Sequence, residues 1–400
     1  MPSPSVTPER TKPVSEFLPV TVTPGIAAFW SSVIFVAYAY VIYPVVLGIV
    51  SLIRERKVDR GDVTPSVSFI IAAHNEEARL QGKIENTLRL EYPRGQLDII
   101  VASDGSTDGT EAITRTYEGK GVVLVRTPTR RGKEYAQRCA VDIASGEILV
   151  FSDVGATLPS NAVATIVRNF HDPTVGCVSS VDHTVDADGH STGEGGYVRY
   201  EMLLRRLESK AGTLVGLSGS FFAARRELCR EWPDDLPSDM HTLFRAVKAG
   251  LRGVSDLDSV AYYENVPDTR REFERKVRTV LRGISLFAAN LEMANPRRYG
   301  LFAWQLLSHK LCRWLVPFAL LVALASSALL IPHSTAYAVA CVAQLVLYGV
   351  ALGGMTVNRL TRARPVKIVA FFVLSNLAIL KAWYRFATGD RVVSWQPSRR

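Results

Sequence analysis

From Ile26 to Ile53 the chain carries no charged residue. A helix of that length crosses the hydrocarbon core of a bilayer, and lipid admits only helices or closed barrels as spanning structures. The run is too long for a signal-peptide core and has no small-residue cleavage site, so it is expected to be retained. Arg54, Arg56, Lys57 and Arg60 follow at once, which places that end on the cytoplasmic side. Residues 1–25, rich in Pro, Ser and Thr, then read as a disordered tail on the far side.

Two more uncharged runs lie near the C-terminus, Trp314 to Pro332 and Ser334 to Asn358. Both are long enough to span, which gives transmembrane segments at 314–332 and 334–358. A weaker one, 366–386, has an uncharged core only from Ile368 to Leu380. It either crosses, with its lysines snorkelling, or turns back. The stretch 297–313 mixes Trp304, Leu306 and Leu307 with His309, Lys310 and Arg313, and suits an amphipathic helix in the interface. Residues 387–400 form a basic tail.

The net charge of +9 is explained in two ways. Basic residues flank apolar segments, which fits attraction to anionic lipid. A groove for a phosphate-bearing substrate is the other reading, and no nucleic-acid partner is expected. The five cysteines are scattered and form no CxxC, which argues against a zinc site or disulfide framework.

Residues 54–296 read as one soluble domain. Strand-like runs recur at Val67–Ala73, Leu97–Ser103, Val122–Arg126, Glu147–Ser152 and Val175–Val181. Helical patterns at Ala78–Leu90, Thr110–Glu118 and Arg131–Ala144 separate the early ones. This alternation implies an α/β, doubly wound, mostly parallel sheet, whose ligands gather beyond the carboxyl ends of the strands. Three of those ends carry acids: Glu76 in AAHNEE, Asp104 in SDGSTDG and Asp153 in FSDVGA. Carboxylates there can accept from ribose hydroxyls or hold a divalent ion against a diphosphate. Asp108 and Glu77 read as helix caps. The chain has no GxxxxGK[ST] and no GxGxxG, against a P-loop NTPase or a dinucleotide dehydrogenase.

The run from Ser66 to Asp153, with SFIIAAHNEE, IIVASDGSTDGT, RRGK at Arg130–Lys133 and GEILVFSDVGA, resembles the glycosyltransferase family 2 GT-A domain. The likeness continues through GLSGSFFAARRE, PSDM and RKVRT, and the flanking membrane helices make it similar to polysaccharide-synthase-like members. The resemblance implies an inverting transfer of a sugar from a nucleotide-diphosphate donor, UDP favoured, to an acceptor hydroxyl. Exopolysaccharide or cell-envelope glycan would be the product, made on the cytoplasmic side of a bacterial inner or plasma membrane. Addition of a single sugar to a lipid or lipid-linked acceptor is the alternative. It further implies that Glu76, Asp104, Lys133, Asp153, Arg275 and Arg278 bind the donor. Ser218 and Gly219 would line the acceptor side, and Asp239 would be the general base. Asp239 also suits the N-cap of a helix over His241–Ala249, where Ser238 competes. Asp153 would hold Mg²⁺ or Mn²⁺. A partner subunit or self-association is left open.

The chain departs from that pattern at three places. Gly155 stands where the second acid of DxD is expected, which puts metal use in doubt. Ser238 precedes Asp239 in place of an acid. Arg275 and Thr279 replace the Gln and Trp of QxxRW, and the missing Trp weakens a processive reading. Asp186 and Asp188 form a literal DxD after the wrong strand and read as a polar turn. Ser326, Ser327, Gln344 and Ser375 are few for a secretion channel and suit helix contacts.

Overall fold

The computed structural model describes residues 24–185, 196–230, 232–233, 236–264, 269–356 and 363–390. Most of the tail at 1–25, Asp186, Asp188 and residues 391–400 lie outside the described residues.

Helices α1 (Pro24–Ala37) and α2 (Tyr43–Ile53), continuous through a π-turn at Tyr38–Ile42, form the first long apolar rod. The sheet-forming part of the chain then alternates strand and helix. Strands β1 (Val67–Ala73), β2 (Leu97–Ser103), β3 (Val122–Arg126) and β4 (Ile148–Asp153) are separated by α3 (Glu77–Leu88), α4 (Thr110–Arg115) and α5 (Lys133–Ile143). Next come α6 (Ala162–Val167), β5 (Val175–Val185), α7 (Gly196–Ala211), β6 (Phe221–Arg225), α8 (Ser238–Lys248), β7 (Arg252–Glu264) and α9 (Thr269–Ala289). The chain finishes with α10 (Pro296–Leu306), α11 (Cys312–Leu330), α12 (Thr335–Thr356) and α13 (Arg364–Ala387).

The strands make one sheet in the order β3-β2-β1-β4-β6-β5-β7. Pairing is parallel except where β6 runs antiparallel between β4 and β5. Strand β1 is buried along its whole length because helices cover both faces of the sheet. Side-chain alternation sorts the core. Phe69, Ile71, Val101 and Val150 pack on one face, Ile70, Ile100, Leu149 and Phe151 on the other. The pattern-based bounds of β1, β2 and β3 coincide with the structure, while β6 and β7 were not anticipated as strands. β7 mixes polar residues through its length and lacks the apolar run that marks the others.

Among the described residues four helices are long and apolar enough to cross a membrane: Pro24–Ile53, Pro296–His333, Thr335–Gly354 and Pro365–Ala387. Beyond a kink at Gly300, the stretch 297–313, read above as a separate interfacial helix, is instead continuous with the following apolar helix. Its polar residues are spent on protein. His309 is 3% exposed and meets Glu208 through Nδ1 at 2.5 Å and Glu201 through Nε2 at 3.2 Å. Arg313 also pairs with Glu201. Both acids lie on α7, so this ion cluster ties the sheet domain to the rod. Gln344 serves a helix contact, donating to Leu320 O at 2.8 Å, and Ser375 accepts from Lys276 of α9 at 2.7 Å, while Ser326 donates within its own helix to Val322 O.

Candidate active site

Register aligns the three acid-bearing strand ends, with Ala73 opposite Ser103 and Ala72 opposite Asp153. After β1 the chain turns at Asn75, whose φ of 52° is left-handed. Asparagine tolerates that region, and here its Oδ1 accepts from Thr107 N at 2.8 Å. The turn brings Glu76 to the cavity beyond the sheet, where its carboxylate accepts from Arg79 Nε at 2.9 Å. Burial raises the Glu76 pKa, against the pull of Arg79. Asp108 and Glu77 act as caps and ties: Asp108 accepts from Thr110 N and Glu77 N, and Glu77 from Gly109 N.

Asp104 does not line the cavity. It is 1% exposed, and its two oxygens accept from Arg131 N at 2.9 Å and Gly132 N at 2.8 Å. It thereby shapes the RRGK loop and aims the lysine that ends it. Lys133 Nζ lies 2.5 Å from Asp153 Oδ1 and 2.9 Å from Gly219 O. Burial works against the Lys133 charge, but Asp153 outweighs it and the pKa is raised.

Helix α8 starts three residues earlier than expected. Pro237 is its N-cap position, and Ser238 Oγ donates to Gln137 Oε1 at 2.7 Å. Asp239 is therefore not a cap. It sits in the first turn, where it lines the cavity against Gly219. A Cβ on Gly219 would come within 3.1 Å of Asp239 Oδ2, so a side chain there would press the carboxylate aside by a few tenths of an ångström. Burial raises the Asp239 pKa, opposed by the Met240 amide and the charges of Arg282 and Lys133.

The far wall is α9. Arg275, Arg278, Thr279 and Arg282 recur at helical spacing and line one side. Arg275 pairs with Glu272, and Arg282 with Glu134 of α5. Ser218, Gly219 and Ser220 line the loop before β6. Ser218 Oγ and Ser220 Oγ donate to Asp182 at 2.8 and 2.9 Å. Burial raises the Asp182 pKa against those bonds and Arg205.

These groups enclose about 370 Å³ at the carboxyl edge of the sheet. Residues 68–232 match the model of glycosyl transferase family 2. The chain carries a family 2 glycosyltransferase domain. Two curated relatives share its sequence over part of that length. A beta-monoglucosyldiacylglycerol synthase of Nostoc sp. is 26% identical over 45% of this chain and 41% of its own. A poly-beta-1,6-N-acetyl-D-glucosamine synthase of Staphylococcus aureus is 27% identical over 40% of this chain and 39% of its own. The matches thus span about two fifths of these relatives. A mannosyltransferase of Pyrobaculum calidifontis, solved with GDP-Man and Mn²⁺, is 23% identical. It superposes with a TM-score of 0.71 over 91% of this chain and all of its own, which establishes the shared fold.

Within the family 2 domain the residues do not form a divalent-ion cage. Asp153 is already matched by a buried ammonium, and Gly155 supplies no second carboxylate. Glu76 is held by Arg79. Among the described residues no cluster of three or more His, Cys, Asp or Glu could hold a metal. Space is not the reason, since a Cβ on Gly155 would have no heavy atom closer than 3.7 Å, in Arg79. Cations outnumber acids around the cavity: Arg79, Lys133, Arg205, Arg275, Arg278 and Arg282 line it, against Glu76, Glu134, Asp153, Asp182 and Asp239.

Sequence reasoning missed Arg79, Glu134, Asp182, Arg205 and Arg282. Arg282 alone left a signal, the continuation of the Arg275, Arg278 spacing by one more helical turn. Asp182 lies late in a strand whose end was set too early.

Proposed function

We propose that the domain transfers a hexosyl unit from a nucleoside-diphosphate sugar to an acceptor hydroxyl with inversion, Asp239 acting as base. One observation carries this reading: a half-buried carboxylate faces a cation-lined wall across a cavity at the carboxyl edge of the sheet. The acceptor oxygen attacks the anomeric carbon while its proton passes to Asp239. The bond from that carbon to the diphosphate breaks, and its electron pair leaves on the diphosphate oxygen. Lys133, Arg275, Arg278 and Arg282 hold the charge that builds there. No step is routed through a metal ion.

Glu76 and Asp153 would accept from the donor's hydroxyls, and Ser218 and Gly219 would bound the acceptor. The mannosyltransferase and its GDP-Man make a hexose diphosphate donor the natural first choice, with UDP- and GDP-sugars both to be tried. A growing glycan and a lipid-linked acceptor are both compatible. Thr279 lines the cavity where a stacking Trp would grip a polymer, which favours transfer of a single sugar. The basic cluster that ends the first apolar helix supports a cytoplasmic site on a membrane-spanning chain.

The test is release of nucleoside diphosphate by the full chain in detergent from a panel of UDP- and GDP-sugars. One donor should turn over, and Asp239→Asn should cost about 10²–10⁴ in rate. Neither release nor nucleotide binding with any donor would defeat the reading. Products extended by more than one sugar would decide for the polymer.

A further inference from the structure

A second cavity, of about 380 Å³, shares no lining residue with the first. It opens where two apolar helices end, with Arg54 and Arg56 just after α2 and Arg298 in the first turn of α10. Helix α8 joins the two cavities, with Asp239 near its start and Val247 near its end, about 12 Å apart at 1.5 Å per residue.

Charge and polarity in this cavity are unbalanced. Its lining holds no carboxylate. The neighbouring acids are taken, Glu55 by Lys210 and Glu292 by Lys248. Arg252 is spent on Asp172 and on the carbonyls of Arg56 and Lys57. Arg54 and Arg56 have no ion-pair partner among the described residues. Deeper in, Gln305 is fully buried, yet both its carboxamide oxygen and nitrogen lack a hydrogen-bond partner, as does the Tyr299 hydroxyl. A buried amide left wholly unpaired costs free energy comparable to lost hydrogen bonds, so such a group calls for a polar partner. The wall between is apolar, from Leu301 and Phe302. Gly300 opens it: φ 51° and ψ −122° break α10 there, a conformation that suits glycine.

We propose that this cavity binds the headgroup of an anionic glycerophospholipid, its phosphate among Arg54, Arg56 and Arg298. The lipid's hydroxyl or ester oxygens meet Gln305 and Tyr299, and its chains leave along Leu301 and Phe302. Guanidiniums pair phosphate oxygens with charge-assisted, bidentate bonds. A carboxamide both donates and accepts, which suits a glycerol part and not a bare anion. The inference rests on the reading that the four apolar helices cross a bilayer, and is independent of the sugar-transfer chemistry.

The experiment places the full chain in nanodiscs of phosphatidylcholine with or without phosphatidylglycerol, then counts tightly retained lipid by native mass spectrometry. The wild type should retain one phosphatidylglycerol. Arg54→Gln with Arg298→Gln should weaken retention at least about tenfold. Gln305→Leu, which changes no charge, should weaken it too, while Lys367→Gln at the foot of α13 should not. A monodisperse size-exclusion profile with wild-type helicity keeps a fold defect from passing as lost binding. Equal loss in Lys367→Gln, or full retention in Gln305→Leu, would reduce the effect to general surface attraction and overturn the site. Displacement of the lipid by inorganic phosphate alone would reassign it to a free anion and equally overturn the proposal.

Discussion

The role of Lys133 can be tested by Lys133→Met. Methionine keeps the length and apolar stem of a side chain that is only 10% exposed, so the surrounding packing should persist. What is lost is an ammonium that bridges Asp153 and Gly219 O and faces the cation-lined cavity. A hydrogen bond to a charged group contributes about 1.5–3 kcal/mol. At 1.36 kcal/mol per decade that predicts a fall of about 10- to 150-fold in kcat/KM for the donor. The assay is release of nucleoside diphosphate under EDTA and again with added Mn²⁺. Wild-type turnover should persist under EDTA. The variant should lose activity and regain part of it with Mn²⁺, because Asp153 is then free to ligate an ion. A wild type that is silent without metal, beside a Lys133→Met variant at full rate, would refute the assignment of diphosphate charge to lysine.

Gly219→Ala should press a methyl on Asp239 and lower kcat by up to about 10²-fold with the donor KM little changed, read from steady-state kinetics. The pH profile of kcat/KM should fall on the acid side as Asp239 takes a proton. Burial raises its pKa, so that limb should lie above the ordinary carboxylate range and vanish in Asp239→Asn. Lys83 is buried, donates to Ser152 Oγ and Ala156 O, and burial lowers its pKa to about 7. Between pH 7 and its ordinary value the unfolded chain binds the extra proton, so wild-type stability should rise with pH relative to Lys83→Met, by at most about 1.4 kcal/mol per unit. Thermal unfolding at pH 7 and pH 9 checks this. Thr279→Trp should lengthen the product ladder if the acceptor is a growing glycan.

The parallel strands were legible because burial on both faces demands an unbroken apolar run, as in Val67–Ala73. The carboxylates after them were legible for the same reason, since a parallel sheet collects its ligands at one edge. The antiparallel β6 left no comparable mark. Its FFAAR is short, and its direction is set by its neighbours β4 and β5, far away in sequence. Asp239 was legible by motif as a candidate base; its alternative reading, a cap for His241–Ala249, falls because the helix already starts at Ser238. The polar residues His309 and Arg313 looked like a wetted helix face. Their partners, Glu201 and Glu208, lie about a hundred positions earlier, and no local pattern links them. For Lys133 the sequence offered proximity to the donor. That it neutralises Asp153 follows only from the fold.

Composition divides the chain near residue 296 into an enzyme and an anchor, but α9 belongs to both. One side carries Arg275, Arg278 and Arg282 into the cavity, while Val277, Leu281 and Ile284 pack in one cluster with Ala378, Ile379 and Ala382 of α13. Lys381 and Glu274 clamp the same pair at 2.7 Å. Through these contacts a displacement of α13 would be passed on to α9. Lipid of a different thickness changes the tilt of a spanning helix at modest cost. Tilt of a membrane-spanning α13 would then move three guanidiniums relative to Asp239, so turnover in bilayers of different acyl-chain length is expected to differ.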